Sequence, residues 1–352
     1  MTWDLLETGK THYGVHKHRD VPGYTMKDWA FAQGCWYVEK EFATGAFTGN
    51  YGLYEWYPDP SKIEKRDRVT PGQKWAVSDP EKMSRDIKKA AKLMGASLVG
   101  ICKLDRRWVY SHSFHRSTHE YKPIDIPEEF EHAIVMAVDT PYELIQTSPS
   151  RGSYAAAGLG YQWMACEAGS LAHFIRLLGY KAIPSGNDTA LCVPLAIDAG
   201  LGEAGRNGLL ITEKFGSRVR ISKVFTDLPL VHDKPIEFGV REFCETCKRC
   251  AEECPGRALP FGEPTTEPNN ISNAGGAYKW YCDNEKCQAF WVRNLGACLN
   301  CVRVCPFNKP EGWIHDAARF IVRNASWLDP VLLRMNKAFG YGKRAKGDSY
   351  WE

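Results

Sequence analysis

Residues 244–255 have the sequence CETCKRCAEECP, which places four cysteines within eleven residues. Residues 298–306, CLNCVRVCP, hold three more cysteines at the same close spacing. Soft thiolate ligands suit iron–sulfur clusters or zinc. Zinc sites usually separate two ligand pairs by a dozen or more residues, and disulfide frameworks are typical of much smaller secreted chains. The two runs therefore indicate iron–sulfur clusters, and hence a protein that moves electrons.

Each run ends on a cysteine that directly precedes a proline, as in ferredoxins that hold two 4Fe–4S clusters. In those proteins the last cysteine of one run ligates the cluster of the other run. The spacing therefore predicts two ligand sets. Set A is Cys244, Cys247, Cys250 and Cys305, and set B is Cys254, Cys287, Cys298 and Cys301. Cys282 is an alternative to Cys287 as the upstream ligand of set B.

The composition is that of an ordinary globular protein. The chain has 352 residues, of which 44% are hydrophobic and 25% are charged. A formal net charge of +3 gives no electrostatic argument for nucleic acid or an anionic membrane as a partner. No apolar stretch approaches the roughly 18–20 residues that are needed to span a bilayer. The start of the chain also lacks a secretory signal pattern.

Helix and strand patterns alternate between residues 79 and 232, which predicts an α/β layer with a mixed sheet. The first helix has Asp79 or Ser78 as its cap and Pro80 at its first position. Residues 133–138, AIVMAV, form a continuously apolar strand that we expect to be buried on both faces. The other predicted elements are strands at 97–102, 181–184 and 218–225, and helices at 154–178 and 193–199.

These patterns divide the chain into four parts. An N-terminal segment, 1–78, has no sustained period and is expected to wrap round the rest with short strands. Residues 79–238 form the core, and residues 239–312 form a ferredoxin-like domain. A helical tail follows at 313–352.

Several blocks of the core resemble cobalamin-dependent reductive dehalogenases. They are AAAGLGY at 155–161, FIRLLGYKAIP at 174–184, GND at 186–188, PLAIDAGLGE at 194–203, GRNGLLIT at 205–212, RVR at 218–220 and KVFTD at 223–227. The cysteine runs lie where that family carries its cluster motifs. Because many ferredoxin-like proteins share the cysteine spacing, it is the combination of blocks and runs that is specific.

The resemblance implies a nitroreductase-like α/β core that holds a corrinoid, cobalamin, in its base-off form. A ferredoxin-like domain would bring one of two 4Fe–4S clusters close to the cobalt. The implied reaction replaces the halogen of an organohalide by hydrogen, with electrons from a low-potential donor. Twelve Trp, sixteen Tyr and fifteen Phe suggest a small or planar apolar substrate, such as a chlorinated ethene or arene.

Partners and location follow from the same resemblance. A small membrane-anchor protein and a homodimer are expected by analogy, and nucleic acid is not. Family members usually carry a twin-arginine export signal, which this chain lacks. The expected location is the outer face of the cytoplasmic membrane after export, and the alternative is the cytoplasm.

Three pocket residues are carried over by the motifs: Tyr161 matches the proton donor, Arg220 its basic partner and Asn187 a polar residue of the cavity. Trp291, inside Phe290-Trp291, falls where the resemblance implies an aromatic wall of the pocket. A tyrosine has an unperturbed pKa of about 10, and a nearby guanidinium stabilises the phenolate and lowers that pKa. Arginine keeps its charge even in a dry pocket. Arg218 would face the same side of a strand as Arg220, so it is the alternative partner.

Each of these residues also has a purely structural interpretation. Tyr161 could be a core aromatic with a satisfied hydroxyl, and Asn187 could form a local turn. Gly186, Gly200, Gly202 and Gly205 are expected to let the backbone approach the corrinoid, although glycines are also ordinary turn formers.

Two other functions remain open at this point. An epoxyqueuosine-reductase-like enzyme also uses cobalamin and two 4Fe–4S clusters, but acts on tRNA. It would favour a carboxylate at the position of Tyr161 and a basic RNA-binding face. A non-catalytic iron–sulfur electron carrier would explain the cysteines but not the blocks between residues 154 and 227.

Overall fold

A computed structural model of the chain describes residues 19–43, 52–67, 70, 72–115 and 120–352. The expected short strands of residues 1–18 and 44–51 lie outside the described residues. The helices are α1 Met26–Cys35, α2 Tyr37–Phe42, α3 Pro60–Asp67, α4 Pro80–Leu93, α5 Tyr142–Gln146, α6 Arg151–Leu177, α7 Cys192–Asp198, α8 Val240–Thr246, α9 Arg249–Glu252, α10 Asn284–Asn294, α11 Asn300–Arg303, α12 Trp313–Asn324 and α13 Asp329–Ala338.

A four-stranded sheet lies at the centre of the core. Its strands are β1 Leu98–Lys103, β4 His132–Asp139, β5 Ala182–Ser185 and β8 Val219–Thr226, in the order β1-β4-β8-β5. Two small hairpins join β2 His112–His115 to β3 Glu120–Pro123, and β6 Glu203–Ala204 to β7 Leu210–Ile211.

The prediction of a mixed sheet is wrong, because all three strand pairs of this sheet are antiparallel. The chain does cross from β4 through α6 to β5, and these two strands run parallel to each other. They are not neighbours, however, since β8 inserts between them and runs antiparallel to both. The position of β8 depends on long-range pairing, which local patterns do not encode.

Strand β4 is buried on both faces, as its apolar sequence predicted. Ile134 and Met136 face a core that includes α4 and α6. Ala133 and Val135 belong to a second core on the opposite face, which includes α7. The alternation of side chains along a strand therefore places helices on both sides of the sheet.

The helix boundaries follow local chemistry. Asp79 caps α4, because its side chain accepts a hydrogen bond from the Lys82 amide at 2.9 Å, and Pro80 occupies the first turn. This prediction is confirmed. The long helix α6 begins at Arg151, three residues earlier than expected, because Ser150 forms a capping box with Ser153.

The described part of the N-terminal segment is helical, not a set of short strands. It forms α1, α2 and α3, with a 3-10 turn at Gly52–Tyr54. Thr25 and Asp28 make a capping box at the start of α1. The apolar residues of α1 are spread round the helix, so the sequence shows no helical period.

The tail is helical as expected and consists of α12 and α13, joined by a 3-10 turn at Ser326–Leu328. The domain boundaries after residues 78, 238 and 312 stay predictions. Within the described ranges, no helix is both long and apolar enough to cross a membrane.

Candidate active site and thiol sets

The cysteines of the two runs meet in the two groups that their spacing predicts. In set A, the Cys244 thiol interacts electrostatically with Cys247, Cys250 and Cys305. In set B, Cys301 interacts with Cys298, Cys287 and Cys254, and with Cys250 of set A. The crossing of the last cysteine of each run into the other group is therefore present in the fold.

The thiols are buried, and burial raises the pKa of Cys247 to about 11 and that of Cys250 to about 12. Thiols with such pKa values are protonated at neutral pH, so a bound metal must displace their protons. In the described part of the chain, no three His, Cys, Asp or Glu side chains surround a point that could hold one metal ion. In a 4Fe–4S cube, by contrast, each thiolate binds a different iron atom.

Cys287 is better placed than Cys282 to complete set B. Cys287 interacts electrostatically with both Cys298 and Cys301. Cys282 is hydrogen-bonded to Cys287 and packs near Cys254 and Cys301. A hydrogen bond in which the Cys287 thiol donates to Cys282 is the main cause that raises the pKa of Cys287.

A cavity of about 570 Å³ lies between set B and the sheet, and we call it the central cavity. Cys254, Cys287, Cys298 and Cys301 are among its lining residues, so all of set B borders it. Arg220 from β8 is another of its lining residues. The central cavity is therefore bordered both by set B and by Arg220, a sheet residue that the sequence analysis singled out.

Other lining residues give the central cavity a mixed character. Trp291 of α10 borders it, and its indole nitrogen is buried without a hydrogen-bond partner. Five residues with side-chain amides also line it, namely Asn207, Asn273, Asn284, Gln288 and Asn300. A ligand that fills this space would therefore meet polar as well as aromatic residues.

Arg220 lines the central cavity and also lies against Tyr161 of α6. Its guanidinium carbon is 4.9 Å from the centre of the Tyr161 ring, within the range of a cation–π contact. The side chain has room there because residue 160 is glycine. A Cβ at Gly160 would lie 2.4 Å from Arg220 Cγ and 2.9 Å from Thr140 Cγ2.

Tyr161 is held on two further sides. The Asn187 amide donates a hydrogen bond to its hydroxyl at 2.8 Å. The Trp36 ring lies 4.8 Å from the Tyr161 ring, centre to centre. Gly158 makes room for Trp36, because a Cβ at this position would be 2.6 Å from the indole Cδ1. The structure thus brings together Tyr161, Asn187 and Arg220, as the motifs predicted.

Arg218 does not contact Tyr161 as Arg220 does. It forms a salt bridge with Asp139 at 2.8 Å, donates to the Thr140 carbonyl at 3.0 Å and lies over Phe215. Of the two arginines considered, Arg220 is therefore the one beside the candidate proton donor.

The pKa of Tyr161 is raised above its usual value, not lowered. Burial is the largest cause, since it disfavours the phenolate. Arg220 is the largest opposing influence, and the Asn187 hydrogen bond also lowers the pKa. The Arg220 guanidinium lowers the pKa of Tyr161 as expected, but desolvation raises this pKa by more. The hydroxyl therefore keeps its proton at neutral pH.

Sequence reasoning missed three residues near Tyr161. They are Trp36, Glu39 and Tyr54, all from the N-terminal segment. Glu39 lies one helical turn after Trp36, and one of its carboxyl oxygens is buried without a hydrogen-bond partner. Burial and the charge of Asp188 raise the pKa of Glu39 to about 8. No local signal marks these residues, because they reach Tyr161 only through tertiary packing.

The four glycines that were expected to contact a cofactor have close packing neighbours in the fold. A Cβ at Gly186 would be 3.0 Å from the Tyr54 hydroxyl, and one at Gly202 would be 2.1 Å from the Ile211 carbonyl. Gly200 is packed against the Lys234 carbonyl and Gly205 against Ile211 and Asn207. The loop 205–209 borders the central cavity through residues 207–209. Contact of the four glycines with a corrinoid stays a prediction.

Comparison with known proteins places this arrangement in a family. Residues 243–309 match the 4Fe–4S dicluster domain. The tetrachloroethene reductive dehalogenase of Desulfitobacterium hafniense is 38% identical, over 96% of this chain and 72% of that protein. The chain belongs to the reductive dehalogenase family. Reductive dehalogenases are oxidoreductases, and the 4Fe–4S domain match in this chain agrees with such a role.

Two further comparisons agree with this reductive dehalogenase assignment. The tetrachloroethene reductive dehalogenase of Sulfurospirillum multivorans is 40% identical, over 78% of this chain and 60% of that protein. The solved structure of a reductive dehalogenase that was interpreted in terms of B12-dependent dehalogenation is 28% identical, with a TM-score of 0.68. The match covers 78% of this chain and 39% of that one. The chain thus spans less than half of that solved protein.

Proposed function

We propose that this reductive dehalogenase replaces a halogen of a small organohalide by hydrogen, with a corrinoid and two 4Fe–4S clusters as cofactors. One observation carries the proposal. Arg220 contacts Tyr161 and also lines the central cavity, which the four cysteines of set B line as well. The arginine beside the candidate proton donor and the candidate electron entry thus share one cavity.

The residues of the central cavity fit a corrinoid. The corrin ring carries acetamide and propionamide groups at its edge, and five residues with side-chain amides line this space. A volume of about 570 Å³ falls in the usual range for cofactor sites. When bound in base-off form, the corrinoid supplies a strongly nucleophilic cobalt centre for carbon–halogen cleavage. A nitroreductase-like description of the core belongs to the same proposal.

Set A and set B would each hold one 4Fe–4S cluster. Set B borders the central cavity, and none of the four cysteines of set A is among its lining residues. Cys301 of set B interacts with Cys250 of set A, so the two sets are adjacent. Electrons from a low-potential donor would therefore enter at set A and reach the cavity through set B.

Tyr161 would supply the proton that replaces the halide. Its hydroxyl is protonated at neutral pH, because burial raises its pKa. Once the proton has left, the phenolate needs stabilisation in a buried place. The Arg220 guanidinium and the Asn187 amide provide it, since each of them lowers the pKa of Tyr161. A tyrosine that is protonated before the reaction, and whose phenolate is stabilised afterwards, is suited to general acid catalysis.

The substrate that we propose is a chlorinated ethene or another small, flat organohalide. Trp291 offers the central cavity an aromatic wall, and Trp36 packs on the candidate acid. Two relatives are named tetrachloroethene reductive dehalogenases. A homodimer, a membrane-anchor partner and a position on the outer face of the cytoplasmic membrane belong to the same proposal.

Anaerobic halide release tests the proposal. The protein would be reconstituted with iron, sulfide and cobalamin, reduced with a viologen dye and given chlorinated ethenes, ethanes and phenols. We expect chloride from at least one compound, and only when cobalamin is present. No chloride from any compound, with iron and cobalt both bound, would contradict the proposal and favour a tRNA substrate.

A further inference from the structure

Arg206 is a buried cation that reaches set A from the core. Its side chain is 1% exposed. The guanidinium donates to the Cys244 carbonyl at 2.9 Å, and to the carbonyls of Pro260 and Gly262 at 3.0 and 2.8 Å. The Trp280 ring covers one face, with its centre 4.6 Å from the guanidinium carbon. Arg206 is therefore held rigidly beside the first ligand of set A.

One nitrogen of this guanidinium lacks a partner. Nη2 is buried and makes no hydrogen bond in the protein. Leaving a buried donor of a charged group unsatisfied costs more free energy than leaving a neutral donor unsatisfied. Three other hydrogen bonds fix the Arg206 side chain, so Nη2 cannot turn away to find a partner. The unsatisfied nitrogen therefore indicates a hydrogen-bond acceptor that the protein itself does not supply.

The hydrogen bonds that Arg206 does make show where that acceptor lies. The backbone of Cys244 is already an acceptor for Arg206. Arg206 is thus anchored at the first cysteine of set A, where the sulfur atoms of a bound cluster would serve as hydrogen-bond acceptors.

We propose that Arg206 donates its Nη2 hydrogen bond to a sulfur of the cluster held by set A and raises the reduction potential of that cluster. This inference rests on the proposed function only in that it takes set A to bind a 4Fe–4S cluster. Hydrogen bonds to sulfur and nearby charge are two of the factors that set cluster potentials. Because reduction adds negative charge, a fixed cation stabilises the reduced state.

The position of Arg206 also links the two parts of the site. It belongs to the loop between β6 and β7, and Asn207, Gly208 and Leu209 of the same loop border the central cavity. One loop of the core therefore contacts set A through one residue and borders the central cavity through the next three.

The test is a redox titration of the loaded protein, monitored by electron paramagnetic resonance, without any organohalide. Arg206→Met removes the charge and the hydrogen bonds, and Arg206→Lys keeps the charge. Arg176→Met is a matched control, because Arg176 also donates to three backbone carbonyls, those of Ala182, Glu55 and Trp56. A Cys247→Ser variant assigns the signal of set A.

We expect Arg206→Met to reduce the ratio of reduced to oxidised set A cluster at least tenfold at a fixed potential, a shift of about 59 mV for one electron. Arg206→Lys should shift it less, and the set B signal should stay in place in both variants. The Arg176→Met control should leave both signals unchanged.

An unchanged set A signal in Arg206→Met, or an equal shift of both signals, would overturn the proposal. If Arg206→Met fails to bind iron, Arg206→Lys decides. Arg206→Lys should lower the ratio of reduced to oxidised set A cluster by less than tenfold and leave the set B signal unchanged. An unchanged or raised ratio for set A would overturn the proposal. Because the titration involves no halide release, its outcome is independent of whether the protein dehalogenates.

Discussion

The contact between Arg220 and Tyr161 can be disturbed by a single added methyl group, in the variant Gly160→Ala. This variant tests whether the contact is needed for activity. The added Cβ would lie 2.4 Å from Arg220 Cγ, which is near the fixed end of that side chain. It would also lie 2.9 Å from Thr140 Cγ2. Both distances are too short for carbon atoms, so the side chains of Arg220 and Thr140 must move. We expect Arg220 to leave its place over the Tyr161 ring.

The expected effects on stability and on activity differ in size. Replacing a helical glycine by alanine stabilises a helix by about 1 kcal/mol, and overpacking a core costs about 1–3 kcal/mol. The free energy of unfolding should therefore fall by no more than about 2 kcal/mol. Loss of a desolvated cation–π contact is worth about 2 kcal/mol, which corresponds to about a 30-fold lower rate if the contact supports the phenolate.

Halide release and anaerobic chemical unfolding would be measured on the same preparations. Gly34→Ala is the matched control, since Gly34 lies in α1 and an added Cβ there meets nothing within 4 Å. It should keep full activity. Wild-type halide release by Gly160→Ala, with iron and corrinoid bound, would refute the view that Arg220 must lie over Tyr161.

Two further predictions concern pH and ligation. Glu167 is buried with one oxygen bonded to Ser222 at 2.8 Å and the other unpartnered, and burial raises its pKa from 4.5 to about 8. Between these values the folded state holds a proton that the unfolded chain has released, so stability falls as pH rises, by up to about 1.4 kcal/mol per pH unit. Glu167→Gln should flatten the pH dependence of unfolding over pH 5–8, and an identical slope would contradict this pKa. Cys287→Ala should reduce bound iron from about eight to about four atoms per chain, while Cys282→Ala should keep about eight. The reverse result in an iron assay would make Cys282 the ligand of set B.

Local sequence was sufficient to predict the features that depend on short-range chemistry. The grouping of the eight cysteines followed from their spacing, and the start of α4 followed from Asp79 and Pro80. The contact of Tyr161 with Arg220 was expected from motifs that lie 59 residues apart, but no distance could be derived from them.

The features that the sequence did not predict depend on tertiary structure. The place of β8 between β4 and β5 follows from pairing across the whole core. Trp36 reaches Tyr161 only because Gly158 leaves room for the indole ring. The sign of the Tyr161 pKa shift depends on how far burial outweighs the Arg220 charge, and burial at a single residue is a property of the complete fold.

The most direct test of the central claim is halide release by Tyr161→Phe. The variant keeps the ring that packs between Trp36 and Arg220, and removes only the hydroxyl that accepts from Asn187. Iron and corrinoid contents, measured in the same sample, should equal those of the wild type. We predict that halide release then falls by about a hundredfold or more, as for loss of a general acid. Wild-type halide release by this variant would show that the proton comes from elsewhere.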